Sequence, residues 1–124
     1  MKYVMIGIGG ALGAIARFWV DGFIGQRLGT KFPYGTFFIN CSGSLLIGFI
    51  LAILTERTHL SANWRYLIPI GFIGAYTTFS TFEYETMRSI QDGQITTATL
   101  YVIASVAVGF ICVWIGAVAG RALP

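Results

Sequence analysis

Four of the five residues in Thr77-Thr78-Phe79-Ser80-Thr81 carry a hydroxyl, inside an apolar segment long enough to cross a membrane. Gly71 and Gly74 stand just before it, and each glycine weakens a helix by roughly 1 kcal/mol relative to alanine. The β-branched threonines lose rotamer freedom in a helix and offer their hydroxyls to nearby carbonyls. A helix that breaks at membrane depth exposes backbone polar groups that lipid cannot satisfy. Such a break is tolerated only where it is buried in protein or lines a wet cavity or an ion site. The stretch from Gly71 to Phe82 therefore reads as a functional break in a transmembrane helix, and its chemistry is hydrogen bonding rather than bond making.

Other polar residues stand where a purely structural helix would not need them. Thr36, Asn40, Ser44 and Gly48 are four apart and share one helical face. Tyr101, Ser105, Gly109, Cys112, Gly116 and Gly120 form a second such face at steps of four, four, three, four and four. The two stripes either pack on each other or face a narrow water-filled track. Asn40 favours the track, because a carboxamide deep in a span is costly unless paired and usually marks an interface or a pathway. Arg17 and Asp21, four apart, either pair near the membrane edge or leave Arg17 at a pore vestibule, where it attracts anions. Glu83 and Glu85, two apart, point to different sides of a helix. One reaches the interface by snorkelling while the other meets the pathway.

No enzyme constellation is present. There is no metal-ligand cluster, no nucleophile with a plausibly placed base, and no phosphate-cradling loop. Gly7-x-Gly-Gly opens no βαβ unit, so a dinucleotide site fails on context. Cys41 and Cys112 make no C-x-x-C pair and read as small buried hydrophobes. His59 lies in a polar loop beside Thr58 and Ser61 and reads as solvent-facing.

The elements that must position these groups follow from composition. The chain has 124 residues, 56% hydrophobic and 10% charged, with mean hydropathy +0.75. A soluble domain carries roughly 25% charged residues, so the chain reads as an integral membrane protein with a single transmembrane domain over residues 1–124. The net charge of +3 comes from scattered loop residues and is no nucleic-acid footprint. The first apolar segment has no small-residue cleavage motif and reads as a retained helix, not a signal peptide. Four segments reach the roughly 20 apolar residues a span needs: Tyr3 to Ile24, Tyr34 to Leu54, Tyr66 to Met87 and Ala98 to Ala119. Short connections make consecutive helices antiparallel. Leaving out Arg17, the terminal side then holds Lys2, Arg57, Arg65 and Arg121, and the other side Arg27, Lys31 and Arg88. Four against three is almost no positive-inside bias. If both orientations insert, the natural assembly is an antiparallel pair of identical chains. Gly9-x-x-x-Gly13 and Gly116-x-x-x-Gly120 suit close helix approach.

The run Gly71-Phe72-Ile73-Gly74-Ala75-Tyr76-Thr77-Thr78-Phe79-Ser80-Thr81-Phe82, followed by Glu85, resembles the signature of the Fluc (CrcB) fluoride channels. Gly35-Thr36-Phe37-Phe38-Ile39-Asn40-Cys41-Ser42-Gly43 is similar to that family's second-helix motif, and Gly9 to Arg17 to its N-terminal motif. The resemblance covers essentially the whole chain. It implies a homodimer of antiparallel four-helix subunits in a bacterial inner membrane, with the third helix broken and two fluoride pores. It also implies a structural Na+ at the dimer centre, held by the backbone carbonyls of Gly74 and Thr77 from both subunits. Phe79 and Phe82 would face the pores. Asn40, Thr81 and Ser105 would lie along the ion track, with Thr36, Tyr101 and Glu85 counted among its lining. The chain departs from the pattern at Ala75, where many members have glycine, and at Glu83, where a small polar residue is common.

The implied function is a passive, fluoride-selective channel that lowers cytoplasmic fluoride. The residue chemistry suits it. Fluoride is small and strongly hydrated, and Asn and Ser/Thr side chains supply donors to replace its water. Aromatic ring edges are positive, so Phe79 and Phe82 can meet an anion edge-on. A rival reading is a small multidrug-resistance-like exporter of cations. That mechanism needs a membrane-embedded carboxylate in the first span, where the only acid is Asp21, near the end. A non-transporting assembly subunit would have no use for Asn40 in register with a hydroxyl-rich break.

Overall fold

The computed structural model describes residues 1–124 and is all-helical, with no strand. Helix α1 spans Lys2–Leu28 and α2 spans Tyr34–Glu56. A short α3, Asn63–Arg65, runs into a π-helical stretch, Tyr66–Ile73, and then into one turn, α4, Gly74–Tyr76. Helix α5 spans Ser80–Gln91 and α6 spans Ile95–Arg121.

The punctuation has local causes. Helix α1 stops at Gly29, whose φ of 80° lies in the left-handed region that glycine enters without a Cβ clash. Pro33, with its fixed φ, leads directly into α2. Gly93, at φ 76°, makes the turn between α5 and α6. Pro69 has no amide hydrogen, and its ring collides with the carbonyl one turn back in an ordinary helix. The chain around it widens into π-helical turns.

Helices α1, α2 and α6 are each long and apolar enough to cross a membrane. The fourth leg is built from the short pieces between Asn63 and Gln91. Helix α2 packs chiefly on α6, and α1 chiefly on the π-helical stretch. Both seams are glycine seams. A Cβ at Gly13 would collide with the Phe72 carbonyl, and one at Gly116 with the Leu45 carbonyl. The two Gly-x-x-x-Gly pairs therefore let backbones touch, Gly9 and Gly13 against residues 67–72 and Gly116 and Gly120 against residues 45–52.

The single chain buries only 19 of its 124 residues, with Tyr101, Ile39 and Ile73 the largest that are fully enclosed. Phe18, Phe79 and Trp114 are 85%, 73% and 64% exposed. Apolar surface on this scale belongs against lipid or against another protein chain.

Candidate functional site

The site is assembled around the point where helical geometry lapses between Tyr76 and Ser80. Thr77 is extended, with φ −78° and ψ 155°. Its amide and its hydroxyl still donate to the Ile73 carbonyl, at 3.0 and 2.9 Å. Thr78 is held from another helix. Asn40 Nδ2 donates to the Thr78 carbonyl at 2.9 Å, and the Thr78 amide donates to Asn40 Oδ1 at 2.8 Å. The carboxamide thus acts as a replacement peptide, meeting both backbone groups that the helix no longer satisfies. Thr78 Oγ1 accepts the Thr81 amide at 3.3 Å and donates to Thr81 Oγ1 at 3.1 Å, which closes the start of α5. Arg17 Nε donates to the Ala75 carbonyl at 3.1 Å. One of its donors is therefore used on this stretch, and no ion pair joins it to Asp21. The carbonyls of Gly74 and Thr77 accept no hydrogen bond, and Gly74 lies exposed on the surface of the chain.

An open groove of about 330 Å³ runs beside this stretch. Asn40, Ser44, Phe79, Phe82 and Ser105 line it together with Thr77 and Thr78. Its lining bears no charge. Ser105 Oγ is buried and has no protein hydrogen-bond partner, unlike every other buried side-chain polar atom in the chain. Asn40 keeps one Nδ2 hydrogen free of the Thr78 clamp. The ring centroids of Phe79 and Phe82 are 5.9 Å apart, with Phe82 buried and Phe79 open to the outside.

Beyond Phe82 lies Tyr101, which is wholly buried. Its hydroxyl donates to Glu85 Oε1 at 3.3 Å. Thr36, 2% exposed, sets its hydroxyl beside both of these groups. Glu85 also lines a polar outer pocket of about 770 Å³ with Lys31, Arg88 and Asp92. A further groove of about 370 Å³ holds Arg17 and Asp21 with Thr36, Thr78 and Thr81. Glu83 is exposed, whereas Glu85 is half-buried. Tyr76, bulky for a helix end, is accommodated by stacking on Phe72 at 5.8 Å and by a 3.0 Å hydrogen bond between its hydroxyl and Ser42 Oγ.

The candidate residues therefore fall into three joined groups. Asn40, Phe79, Phe82 and Ser105 share the uncharged groove. Thr36, Tyr101 and Glu85 form a hydroxyl–carboxylate cluster one step outward. Arg17 and Thr81 line the neighbouring groove. The reading from sequence did not single out Thr78, which receives the Asn40 clamp, or Phe32, whose ring lies against Tyr101. Nothing in the hydroxyl run marks Thr78 above its neighbours, and Phe32 sits in a connection with no periodicity.

Residues 4–117 match the family model described as CrcB-like protein, Camphor Resistance (CrcB). The chain is 57% identical over 121 residues to a protein of Acidobacterium capsulatum named fluoride-specific ion channel FluC, covering 98% of this chain and 97% of that one. It is 40% identical over 121 residues to a protein of the same name from Solibacter usitatus, covering 98% and 99%. A protein of that name from Methylococcus capsulatus is 48% identical over 118 residues, which is 95% of this chain and 52% of the longer relative.

Proposed function

The chain belongs to the CrcB family, and we propose on that premise that it is a fluoride-selective passive channel through which the anion leaves the cytoplasm. It is a multi-pass bacterial membrane protein, not an enzyme. The observation that carries the ion path is the buried Ser105 hydroxyl without a protein partner, on a residue that lines the same groove as Asn40, Ser44, Thr77 and Thr78.

A fluoride ion entering this groove exchanges water for fixed donors. Ser105 supplies a hydroxyl, and Asn40 supplies the amide hydrogen that Thr78 does not use. The edges of Phe79 and Phe82 carry the positive rim of their quadrupoles and close the sides. No charged side chain lines the groove, so binding is weak enough for the ion to leave. Tyr101, Thr36 and Glu85 form the outer end of the track, and Thr81 lies beside the Thr78 hydroxyl. Arg17 stands at the neighbouring groove as the vestibule cation.

The assembly is an antiparallel homodimer of four-span subunits, the third span broken at membrane depth between Tyr76 and Ser80. The near-equal charge of the two sides supports it, and so does the large apolar surface left bare by one chain. The Gly74 and Thr77 carbonyls accept no hydrogen bond, and Gly74 faces outward. Oxygen donors of this kind suit a hard cation. In the dimer, these carbonyls from both subunits would hold a structural Na+, which supplies a fixed positive charge near the two pores without a cationic side chain in either path.

The test is anion efflux from liposomes holding the purified protein, fluoride and chloride side by side. Fast fluoride efflux with little chloride efflux is the expected result. Well-folded protein that passes no fluoride would refute the channel.

A further inference from the structure

Phe32 lies in the short connection between α1 and α2 and belongs to no motif identified above. It is the hub of an aromatic cluster. Its ring centroid is 4.9 Å from that of Tyr34 and 5.9 Å from that of Phe37. It meets Tyr101 edge-to-face, at 5.3 Å and 77°. Tyr101 meets Phe82 in the same manner on another side, at 5.0 Å and 64°. Phe82 in turn neighbours Phe79 at 5.9 Å. Four rings thus run without a gap from the α1–α2 connection to the groove: Phe32, Tyr101, Phe82, Phe79.

The second ring of this series carries the hydroxyl that donates to Glu85. A tyrosine hydroxyl moves with its ring, and this ring is set by the neighbours on its faces and edges. Phe82 is buried and fixed within α5. Phe32 is half-buried and belongs to a connection, flanked by Lys31 and Pro33, which line the outer pocket beside Glu85. Removing the Phe32 ring takes away the edge-to-face contact on one side of Tyr101, beside a connection whose Lys31 and Pro33 line that pocket. The tyrosine can then tilt outward, and its 3.3 Å bond to Glu85, already long for an O–H donor, is the first contact to go.

Building on the channel reading above, we propose that Phe32 is a positioning residue of the fluoride pathway: it fixes the Tyr101 ring between itself and Phe82 and so holds the Tyr101 hydroxyl on Glu85 at the outer end of the track. Phe32 touches no ion. It acts through Tyr101.

The test combines flux with a spectroscopic readout. Phe32→Leu, Phe32→Tyr and Tyr101→Phe are reconstituted beside the unmodified protein, and fluoride efflux is measured. The carboxyl infrared band of Glu85 is assigned with Glu85→Gln and followed in each variant. Phe32→Leu should slow fluoride efflux by roughly 2- to 10-fold, the rate equivalent of one edge-to-face aromatic pair. It should also move the Glu85 band in the direction that Tyr101→Phe moves it, and Phe32→Tyr should restore both. A Glu85 band unmoved by Phe32→Leu overturns the proposal, as does efflux equal to that of the unmodified protein. If Phe32→Leu does not yield dispersed protein, Phe32→Met serves in the same comparison. Absence of fluoride efflux from the unmodified protein would instead refute the channel itself, so the two failures are distinguishable.

Discussion

Ser105→Ala should make the protein more stable and a poorer channel at the same time. The substitution removes one oxygen and leaves Cβ in place. Ser105 Oγ is buried without a protein partner, and leaving such a group unpaired costs roughly 1–3 kcal/mol. A void the size of one oxygen, on the order of 15 Å³, offsets roughly 0.4 kcal/mol of that gain. Stability of the alanine variant should therefore rise by about 1–2 kcal/mol. The ion loses a donor by the same change. A hydrogen bond to a charged group is worth roughly 1.5–3 kcal/mol, so fluoride efflux should fall by roughly 10- to 100-fold. The assays are reversible unfolding in mild detergent and fluoride efflux from liposomes. Thr99→Val is the control, because the Thr99 hydroxyl is already bonded to the Ile95 carbonyl at 2.9 Å and lies away from the groove. Its flux should not change. If Ser105→Ala destabilises the protein, the hydroxyl is structural and the reasoning fails. If it leaves fluoride efflux unchanged, Ser105 is not on the path.

Three further changes probe the rest of the site. Asn40→Asp keeps the shape but loses the donor to the Thr78 carbonyl and adds a negative charge; at about 5 Å and an effective dielectric near 20, repulsion of the anion is roughly 3 kcal/mol, so efflux should fall by about two orders of magnitude. Efflux within a factor of about three of the unmodified rate would remove Asn40 from the ion path, since roughly 0.7 kcal/mol is all such a factor represents. Phe82→Ile replaces a buried ring edge with an aliphatic chain and should abolish most fluoride efflux while the protein elutes on size exclusion as the unmodified protein does. Gly116→Val would drive a side chain into the Leu45 carbonyl, an overpacking that costs roughly 1–3 kcal/mol or more, read as a lower melting temperature before any effect on flux.

The helical class was legible in composition, and Asn40 and Ser105 in the period of their helices, whereas Phe79 and Phe82 entered only through the family resemblance. Two alternatives for the polar stripes were open at that level, packing or a track, and the structure divides them along the length of one helix. On α6, Gly116 and Gly120 meet the α2 backbone, while Ser105 lines the groove. On α2, Asn40 and Ser44 line the groove, but Thr36 turns to Glu85 and Tyr101. A repeat of four says which residues share a face; it does not say where a neighbouring helix leaves that face. The partner of Arg17 was not legible either. Asp21 stands one turn away in sequence, yet the guanidinium goes to the Ala75 carbonyl, 58 residues distant; a spacing of four does not reveal a partner supplied by another part of the fold. Nor were the widened turns at Pro69 legible, because the break was read only from Gly71 onward.

An interruption in a helix at membrane depth has a polar cost, and its distribution here accounts for the residues around it. Four backbone groups near the interruption are met by side chains. Asn40 takes the amide and carbonyl of Thr78, Arg17 takes the carbonyl of Ala75, and Thr78 Oγ1 takes the amide of Thr81. Two of these side chains come from other helices, α2 and α1, so the interrupted shape is set by the packing of the whole chain and not by local propensity alone. The carbonyls of Gly74 and Thr77 take no hydrogen bond. Thr77 lines the open groove and Gly74 lies exposed on the surface of the chain, so both carbonyls are placed to accept from outside the chain. The same logic separates Asn40 from Ser105 in role. Asn40 spends two of its four hydrogen-bonding positions on structure and is fixed by doing so, whereas Ser105 spends none on the protein. On the channel reading, a fixed carboxamide and an uncommitted hydroxyl lining one groove would give an arriving anion one donor whose position is imposed and one that can turn to meet it.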